Sequence, residues 1–436
     1  MTKTLHIRGG KPLSGRIHIA GAKNAASKMM IASLLTDEDV VLDNCPQIDE
    51  IAITGEICEA VGAKVSRVGS RTTIHTPHIT ETKVAGLSRS NRISILAIAP
   101  LLHRSGRAQV PLVGGDKIGP RPVDFHLQAL TQMGATIEET DGSYVAVAPK
   151  DGLHGALISL PYPSVMATES VILAGCLATG RTRIENAATE PEIVDIVKFL
   201  QQMGAIIEFG ANRTVVIDGV HKLRGARYSV LPDRLEAASF ANLAIATGGE
   251  IIVEGARQDE LITFLNTIRR IGADFEVSSE GIRFKRGSAG LSGIELETDT
   301  YPGFATDWQQ PTVVTLTQAK GISVVHETVY EDRFGYTEDL RRMGADIGVF
   351  AKCLGELPCR FQNRSQRHSA VIKGPTALHG TDIVIPDIRA GMAQVIAALV
   401  AEGESKLTGV HHLERGYEQF WSKLRAVGAD FELKED

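Results

Sequence analysis

The feature that most constrains this chain is a short phrase, apolar–Gly–Ala–x–apolar, that returns six times in 436 residues. It stands as Val61-Gly62-Ala63-Lys64-Val65 and again around Gly134, Gly204, Gly272, Gly344 and Gly428, with steps of 72, 70, 68, 72 and 84 residues between the glycines. One Gly-Ala pair carries no information; six at near-constant spacing define an internal repeat. Each phrase closes a helix-period segment and opens an alternating one. Within Gln258 to Ile271, Leu261, Ile262, Leu265 and Ile268 fall at helical spacing. Gly272 then supplies a C-terminal cap, and Ala273 to Val277 alternates as a strand does. The longer last step coincides with Cys353 to Ser369, which reads as an inserted, solvated loop.

Each repeat also carries an earlier and more apolar helix, starting near Asn24, Arg92, Val165, Arg234, Trp308 and Arg389. A helix that is apolar nearly all round has to be buried on most sides. Each repeat therefore predicts one buried helix, one amphipathic helix and several covering strands, which is an α/β chain. A chain of this length is expected to split into two domains. Three repeats each place the seam near Val230–Asp233. Residues 22–231 are then one domain, and residues 1–21 with 232–436 are the other.

A net charge of −6 with no basic block argues against general nucleic-acid or membrane-surface binding. The N-terminal stretch lacks a signal-peptide core and no apolar run reaches spanning length, so a cytoplasmic protein is expected. The five cysteines, Cys45, Cys58, Cys176, Cys353 and Cys359, are odd in number and show no C-x-x-C spacing. No histidine completes a zinc pattern with them. Reduced, inert thiols are expected, with a Cys353–Cys359 bridge as the alternative, and no metal or cofactor.

Anion binding then has to come from cations brought together locally. The stretch Gly114 to Asp124 holds three glycines and two prolines, which exclude regular helix or central strand, and it carries Asp116, Lys117, Arg121 and Asp124. It is either a solvated surface turn or a loop that closes over an anionic ligand. The starts of the buried helices present unpaired N–H groups and partial positive charge. They carry Lys23 and Asn24, Arg92, Ser164, Asp233 and Arg234, Asp307, and Asp387 and Arg389. Ser164, Asp233, Asp307 and Asp387 have a plainer reading as helix caps.

Five short motifs go further: Ala20-Gly21-Ala22-Lys23-Asn24-Ala25, Gly119-Pro120-Arg121-Pro122-Val123-Asp124, Glu190-Pro191-Glu192-Ile193-Val194-Asp195, Leu231-Pro232-Asp233-Arg234 and Glu414-Arg415-Gly416-Tyr417. Together they resemble the UDP-N-acetylglucosamine enolpyruvyl transferases, nearly end to end. The resemblance implies a two-domain inside-out α/β barrel built from six repeats, three per domain. It implies two small-molecule substrates, phosphoenolpyruvate and UDP-N-acetylglucosamine, at the start of peptidoglycan precursor synthesis. Lys23, Arg92, Arg121 and Arg415 match positions around phosphoenolpyruvate, whose two anionic groups call for several cations. Asn24, Arg121, Pro122, Val123, Asp124, Ser164, Val165, Asp307 and Val329 match positions that hold the UDP-sugar. Asp307 matches a carboxylate near the sugar 3-hydroxyl, and Arg333, Asp387 and Arg389 match residues that order the charged cleft. The catalytic set so implied is Asp116, Asp307, Lys23 and Arg415.

Three departures qualify the match. Many members have cysteine where this chain has Asp116, the position of the acid that protonates C3 of phosphoenolpyruvate. A free Asp has a pKa of about 3.9, so keeping it neutral at pH 7 costs roughly 4 kcal/mol unless the site raises that value. Bound phosphate and carboxylate would raise it and Lys117 and Arg121 would lower it, so Asp116 is expected to become an acid only in the ternary complex. Losing the thiol also predicts fosfomycin resistance. Tyr162 and Met166 replace a common lysine and glycine beside the diphosphate, and the insertion at 353–369 matches no family role. A transferase for shikimate 3-phosphate or another nucleotide, and a noncatalytic UDP-sugar-binding regulator, are the competing readings.

Overall fold

The computed structural model describes residues 3–89, 91–112, 123–140 and 142–435. The chain is a mixed α/β protein that divides into two compact units, one within residues 21–231 and the other joining the N-terminal segment to Ala20 with Pro232 onward.

Among the described residues of the 21–231 unit, three sheets carry the strands. Val40–Asp43 lies between Arg71–His75 and the late strand Arg227–Ser229, which joins it in parallel. Arg181–Glu185 pairs in parallel with Leu157–Ser159 and antiparallel with Thr214–Asp218. The third sheet is Arg107–Pro111, Ser143–Val147 and Thr136–Thr140. In the other unit, residues 3–18 serve two sheets. Lys3–Arg8 sits between Glu404–Thr408 and Asp430–Glu435, and Ser14–His18 pairs in parallel with Glu250–Glu254. Its third sheet orders Glu295–Glu297, Gly321–His326, Ser369–Gly374 and Asp346–Phe350.

The repeated glycines act as their backbone freedom predicts. Gly62, Gly134, Gly204, Gly272, Gly344 and Gly428 all lie just beyond a helix, with φ between 84° and 106°. A side chain resists that conformation, so the helix stops and the chain turns into the next strand. The helix expected from Gln258 begins instead with a 3₁₀ turn, Gln258–Glu260, and becomes α-helical over Ile262–Ile271.

The apolar helices are interior. Lys23–Ala32, Val165–Gly175, Arg234–Thr247, Thr306–Thr317 and Ile388–Val400 are buried along most of their length. The one expected from Arg92 is split into a 3₁₀ turn, Ile93–Ala97, and a helix, Ile98–Ser105. Pro100 falls in the first turn of that helix, where its missing N–H costs no bond. Some polar side chains inside the core pair across helices. The Thr315 hydroxyl donates to Asn242 Oδ1 at 2.7 Å, and Asn242 Nδ2 donates to Thr312 at 3.2 Å, which locks the Arg234–Thr247 and Thr306–Thr317 helices in register.

The 353–369 insertion departs from its reading as a merely solvated loop. Phe361 and His368 are fully buried, although most of the segment between them is exposed. The expectation that no histidine completes a metal-ligand pattern with the cysteines is also overturned: His326, Cys353, Cys359 and His368 converge. The pattern is hidden in the sequence because His326 comes from a neighbouring strand rather than from the insertion.

Candidate active site

The helix starts separate caps from chemistry. Asp233 accepts from the N–H groups of Leu235 at 2.8 Å and Glu236 at 3.2 Å, and Asp387 from those of Arg389 at 2.8 Å and Ala390 at 3.0 Å. Ser164 accepts from Ala167 N–H at 3.4 Å. These three are caps. Asp307 is not: its helix is preceded by Ala305, with no side-chain cap.

Asp307 instead joins two arginines. Arg333 Nη2 donates to its Oδ1 at 2.6 Å, and Arg389 Nε lies 3.3 Å from its Oδ2. Burial alone would raise the Asp307 pKa, but Arg333 and Arg389 outweigh it and hold the carboxyl well below the usual range. The arginines are held in turn. Arg333 Nη1 donates to Thr306 Oγ1 at 2.9 Å, and that hydroxyl donates to Glu327 at 2.9 Å. Arg389 Nη1 donates to the Tyr417 hydroxyl at 3.1 Å, which is 2.9 Å from Ser239 Oγ. Asp307 keeps 25% of its side-chain surface exposed, against 6% for Arg333 and 12% for Arg389. The carboxylate is therefore the reachable member of a cluster fixed from behind.

Sequence reasoning placed Asp307, Arg333 and Arg389 in one site but missed the residues behind them. Glu327 accepts from the Thr298 hydroxyl at 2.8 Å and from the N–H groups of Val329 at 2.8 Å and Tyr330 at 3.1 Å. It thereby shapes the backbone at the candidate Val329. Glu327 directly follows the strand Gly321–His326 with no motif around it, so no local signal could have found it; Tyr417, beside Arg415 in a quoted motif, could have been found. Arg415 follows the short His411–Glu414 helix, two residues before Tyr417.

In the 21–231 unit, Lys23 and Asn24 open the Lys23–Ala32 helix, and Lys23 Nζ lies 3.8 Å from Glu50 Oε2. Glu50 also accepts from Asn91 Nδ2 at 3.1 Å, and Asn91 Oδ1 accepts from Ile93 N–H at 2.7 Å, beside Arg92. Val123 and Asp124 begin the Asp124–Gln132 helix. From that helix His126 Nδ1 lies 2.7 Å from Ser170 Oγ, on the helix that Ser164 and Val165 open. Burial, reinforced by the charge of nearby Arg92, pushes His126 down to about 3, so it is neutral at pH 7. Arg92, the Val123–Asp124 turn and the Ser164 helix are thus linked through His126. Asp116, Arg121 and Pro122 lie outside the described residues. Among the described residues, no helix is long and apolar enough to cross a membrane.

The family model for EPSP synthase (3-phosphoshikimate 1-carboxyvinyltransferase) matches residues 7–424. A protein of Protochlamydia amoebophila (strain UWE25) named UDP-N-acetylglucosamine 1-carboxyvinyltransferase is 49% identical over 440 residues, covering 99% of this chain and 94% of that relative. One of the same name from Chlamydia muridarum (strain MoPn / Nigg) is 46% identical over 430 residues, covering 98% and 97%. The crystal structure of the enolpyruvyl transferase NikO from Streptomyces tendae superposes with a TM-score of 0.86 at 24% identity, covering 99% of both chains, which speaks for the fold alone.

Proposed function

Since the chain belongs to the enolpyruvyl transferase family, among the UDP-N-acetylglucosamine 1-carboxyvinyltransferases, we propose that it moves the enolpyruvyl group of phosphoenolpyruvate onto the 3-hydroxyl of UDP-N-acetylglucosamine, releasing phosphate. The product is the first committed precursor of peptidoglycan, made in the cytoplasm. We read the six glycine-capped modules as six copies of one unit, forming an inside-out α/β barrel of two domains with three copies each.

The observation that carries the reading is Asp307, a carboxylate at a helix start that caps nothing and is held ionised by two arginines. A base with a depressed pKa takes a proton poorly from a resting hydroxyl. It is sufficient once the sugar oxygen bonds to C2 of phosphoenolpyruvate, because that oxygen's proton then becomes strongly acidic. In this first step the C2=C3 double bond opens and C3 receives a proton from Asp116. In the second, C3 gives up a proton, the double bond re-forms and the C2–O bond to phosphate breaks. Lys23, Arg92, Arg121 and Arg415 take the charge of the phosphate and carboxylate. Asn24, Pro122, Val123, Asp124, Ser164, Val165 and Val329 hold the UDP-sugar, and Asp387 fixes the helix that carries Arg389.

Phosphate release from phosphoenolpyruvate, assayed with UDP-N-acetylglucosamine and separately with shikimate 3-phosphate, tests the reading. Release with the first acceptor is expected. Release only with the second would replace it, and release with neither would favour the regulator. Asp116→Asn is expected to lower turnover by about 10²–10⁴-fold, and full turnover would remove Asp116 from its role. Fosfomycin is expected to leave no stable adduct on Asp116 in an intact mass spectrum.

A further inference from the structure

Outside this site, the strongest unexplained cluster lies where the inserted connection returns to its sheet. His326 ends the strand Gly321–His326, Cys353 and Cys359 lie in the connection after Asp346–Phe350, and His368 immediately precedes Ser369–Gly374. One ligand atom from each of the four lies within 4.8 Å of every other. Zinc bonds of about 2.3 Å to sulfur and about 2.0 Å to nitrogen place tetrahedral ligand atoms roughly 3.3–3.8 Å apart. Bringing these four to that spacing needs shifts of only about 1 Å. Cys353 Sγ and His368 Nε2 are already 3.2 Å apart.

Both imidazoles are set to offer Nε2. His326 Nδ1 lies 2.9 Å from Glu297 Oε2, and His368 Nδ1 lies 2.7 Å from the Gln366 carbonyl. Each acceptor draws the ring proton to Nδ1 and leaves a lone pair on Nε2. His326 Nε2 is buried and has no hydrogen-bond partner among the described residues, on a side chain only 1% exposed. A buried polar atom so placed calls for an explanation. A Cys353–Cys359 disulfide would leave it orphaned; a shared metal ion would satisfy it.

The surroundings are built for the same purpose. The Glu297 carboxylate that orients His326 also accepts the N–H groups of Glu356 at 2.8 Å and Leu357 at 3.0 Å, so one side chain fixes both a ligand and the connection. Gly355 passes so close that a Cβ there would lie 2.1 Å from Glu297 Oε2 and 2.4 Å from His326 Nδ1. The buried Phe361 packs on His368, with ring centres 5.7 Å apart.

We propose that His326, Cys353, Cys359 and His368 form a closed tetrahedral site for a zinc-class divalent ion that fastens the 351–368 connection to the sheet. Two thiolates and two imidazoles suit zinc, and four protein ligands with no open position make the site structural. Its consequence reaches the neighbouring segment. Arg360, from the fastened connection, donates to the Val329 carbonyl at 2.7 Å and lies 3.5 Å from Glu331. The ion thereby steadies the Glu327–Glu331 turn. The metal site itself does not depend on the proposed transferase reaction.

The test uses the full chain, purified under reducing conditions without chelator and then given Zn²⁺ or Co²⁺ alone. One ion per chain is expected, with a thiolate-to-cobalt charge-transfer band in the Co²⁺ form. Cys353→Ser with Cys359→Ser should lose both the stoichiometric ion and the band. Glu297→Gln should keep them with about 10–100-fold weaker affinity. In the unmutated chain, Zn²⁺ should protect Cys353 and Cys359 from alkylation, and chelation should expose them, as read by peptide mass spectrometry. This last measurement needs no variant to fold. Absence of stoichiometric uptake by the reduced protein would overturn the proposal, including the case where the two thiols are found oxidised to a disulfide and bind nothing after reduction. An unchanged cobalt band in the double variant, or alkylation indifferent to Zn²⁺, would overturn it equally.

Discussion

Asp307 and Glu169 are carboxylates on interior helices, one in each unit, and they meet opposite electrostatic fates. Asp307 sits in the first turn of Thr306–Thr317 against Arg333 and Arg389, which hold its pKa down despite burial. Glu169 lies within Val165–Gly175 at 1% exposure, and its Oε2 has no hydrogen-bond partner among the described residues. Burial pushes it up to about 7, opposed by the charge of Lys28 and reinforced by Glu192 and Glu190. Burial acts in the same direction on both; two guanidiniums in contact reverse its effect on one, and a lysine without a hydrogen bond to the other does not. A carboxylate on a buried helix is therefore a charged tool or a near-neutral filler according to what other segments bring to it.

The largest expected effect breaks the paired member. Asp307→Asn leaves Arg333 buried without its anion and is expected to cost about 3 kcal/mol of stability. Turnover should also fall by at least about 10²-fold, measured well below the unfolding transition. Normal turnover in a folded variant would reduce Asp307 to a structural partner. The pH dependence follows from the sign of the shift. A folded pKa below the unfolded value of about 3.9 gives stability that is complete above that value. It is lost only as pH falls through the lower folded value. The gap between Asp307→Asn and the native chain should therefore stay constant between about pH 5 and pH 8.

Glu169→Gln should act the other way. The folded state keeps a proton that the unfolded chain loses above its value of about 4.3, so stability is complete below that point and declines as pH rises to about 7. The variant should match the native chain near pH 4 and exceed it at pH 8 by about 3 kcal/mol, read from denaturant unfolding at both values. A native stability that does not decline across that interval would put Glu169 among the satisfied carboxylates.

The smallest effect compares caps across the units. Asp387 accepts two N–H groups at 2.8 and 3.0 Å, whereas Ser164 accepts one at 3.4 Å. Asp387→Ala is expected to cost about 1–2 kcal/mol and Ser164→Ala about 0.5 kcal/mol. Thermal melts that rank them in reverse would show that cap geometry is not what matters at these starts.

Features set by neighbouring residues were legible without a structure. The six glycines stop six helices because φ near 100° is open to glycine and costly to other residues, whatever surrounds them. The apolar runs from Asn24, Val165, Arg234 and Arg389 could only be interior, and polar residues at helix starts were candidate caps, as Ser164, Asp233 and Asp387 are. Tertiary structure alone decided which start was the exception. Asp307 became an ion-pair centre because Arg333 and Arg389 reach it from other segments, a matter of distance that no local pattern encodes. It also decided that the insertion was more than a loop, since His326 meets Cys353, Cys359 and His368 only through the pairing of Gly321–His326 with Ser369–Gly374. Backbone preference is written residue by residue, whereas charge compensation and ligand sets depend on positions in space that only the assembled sheets and helices provide.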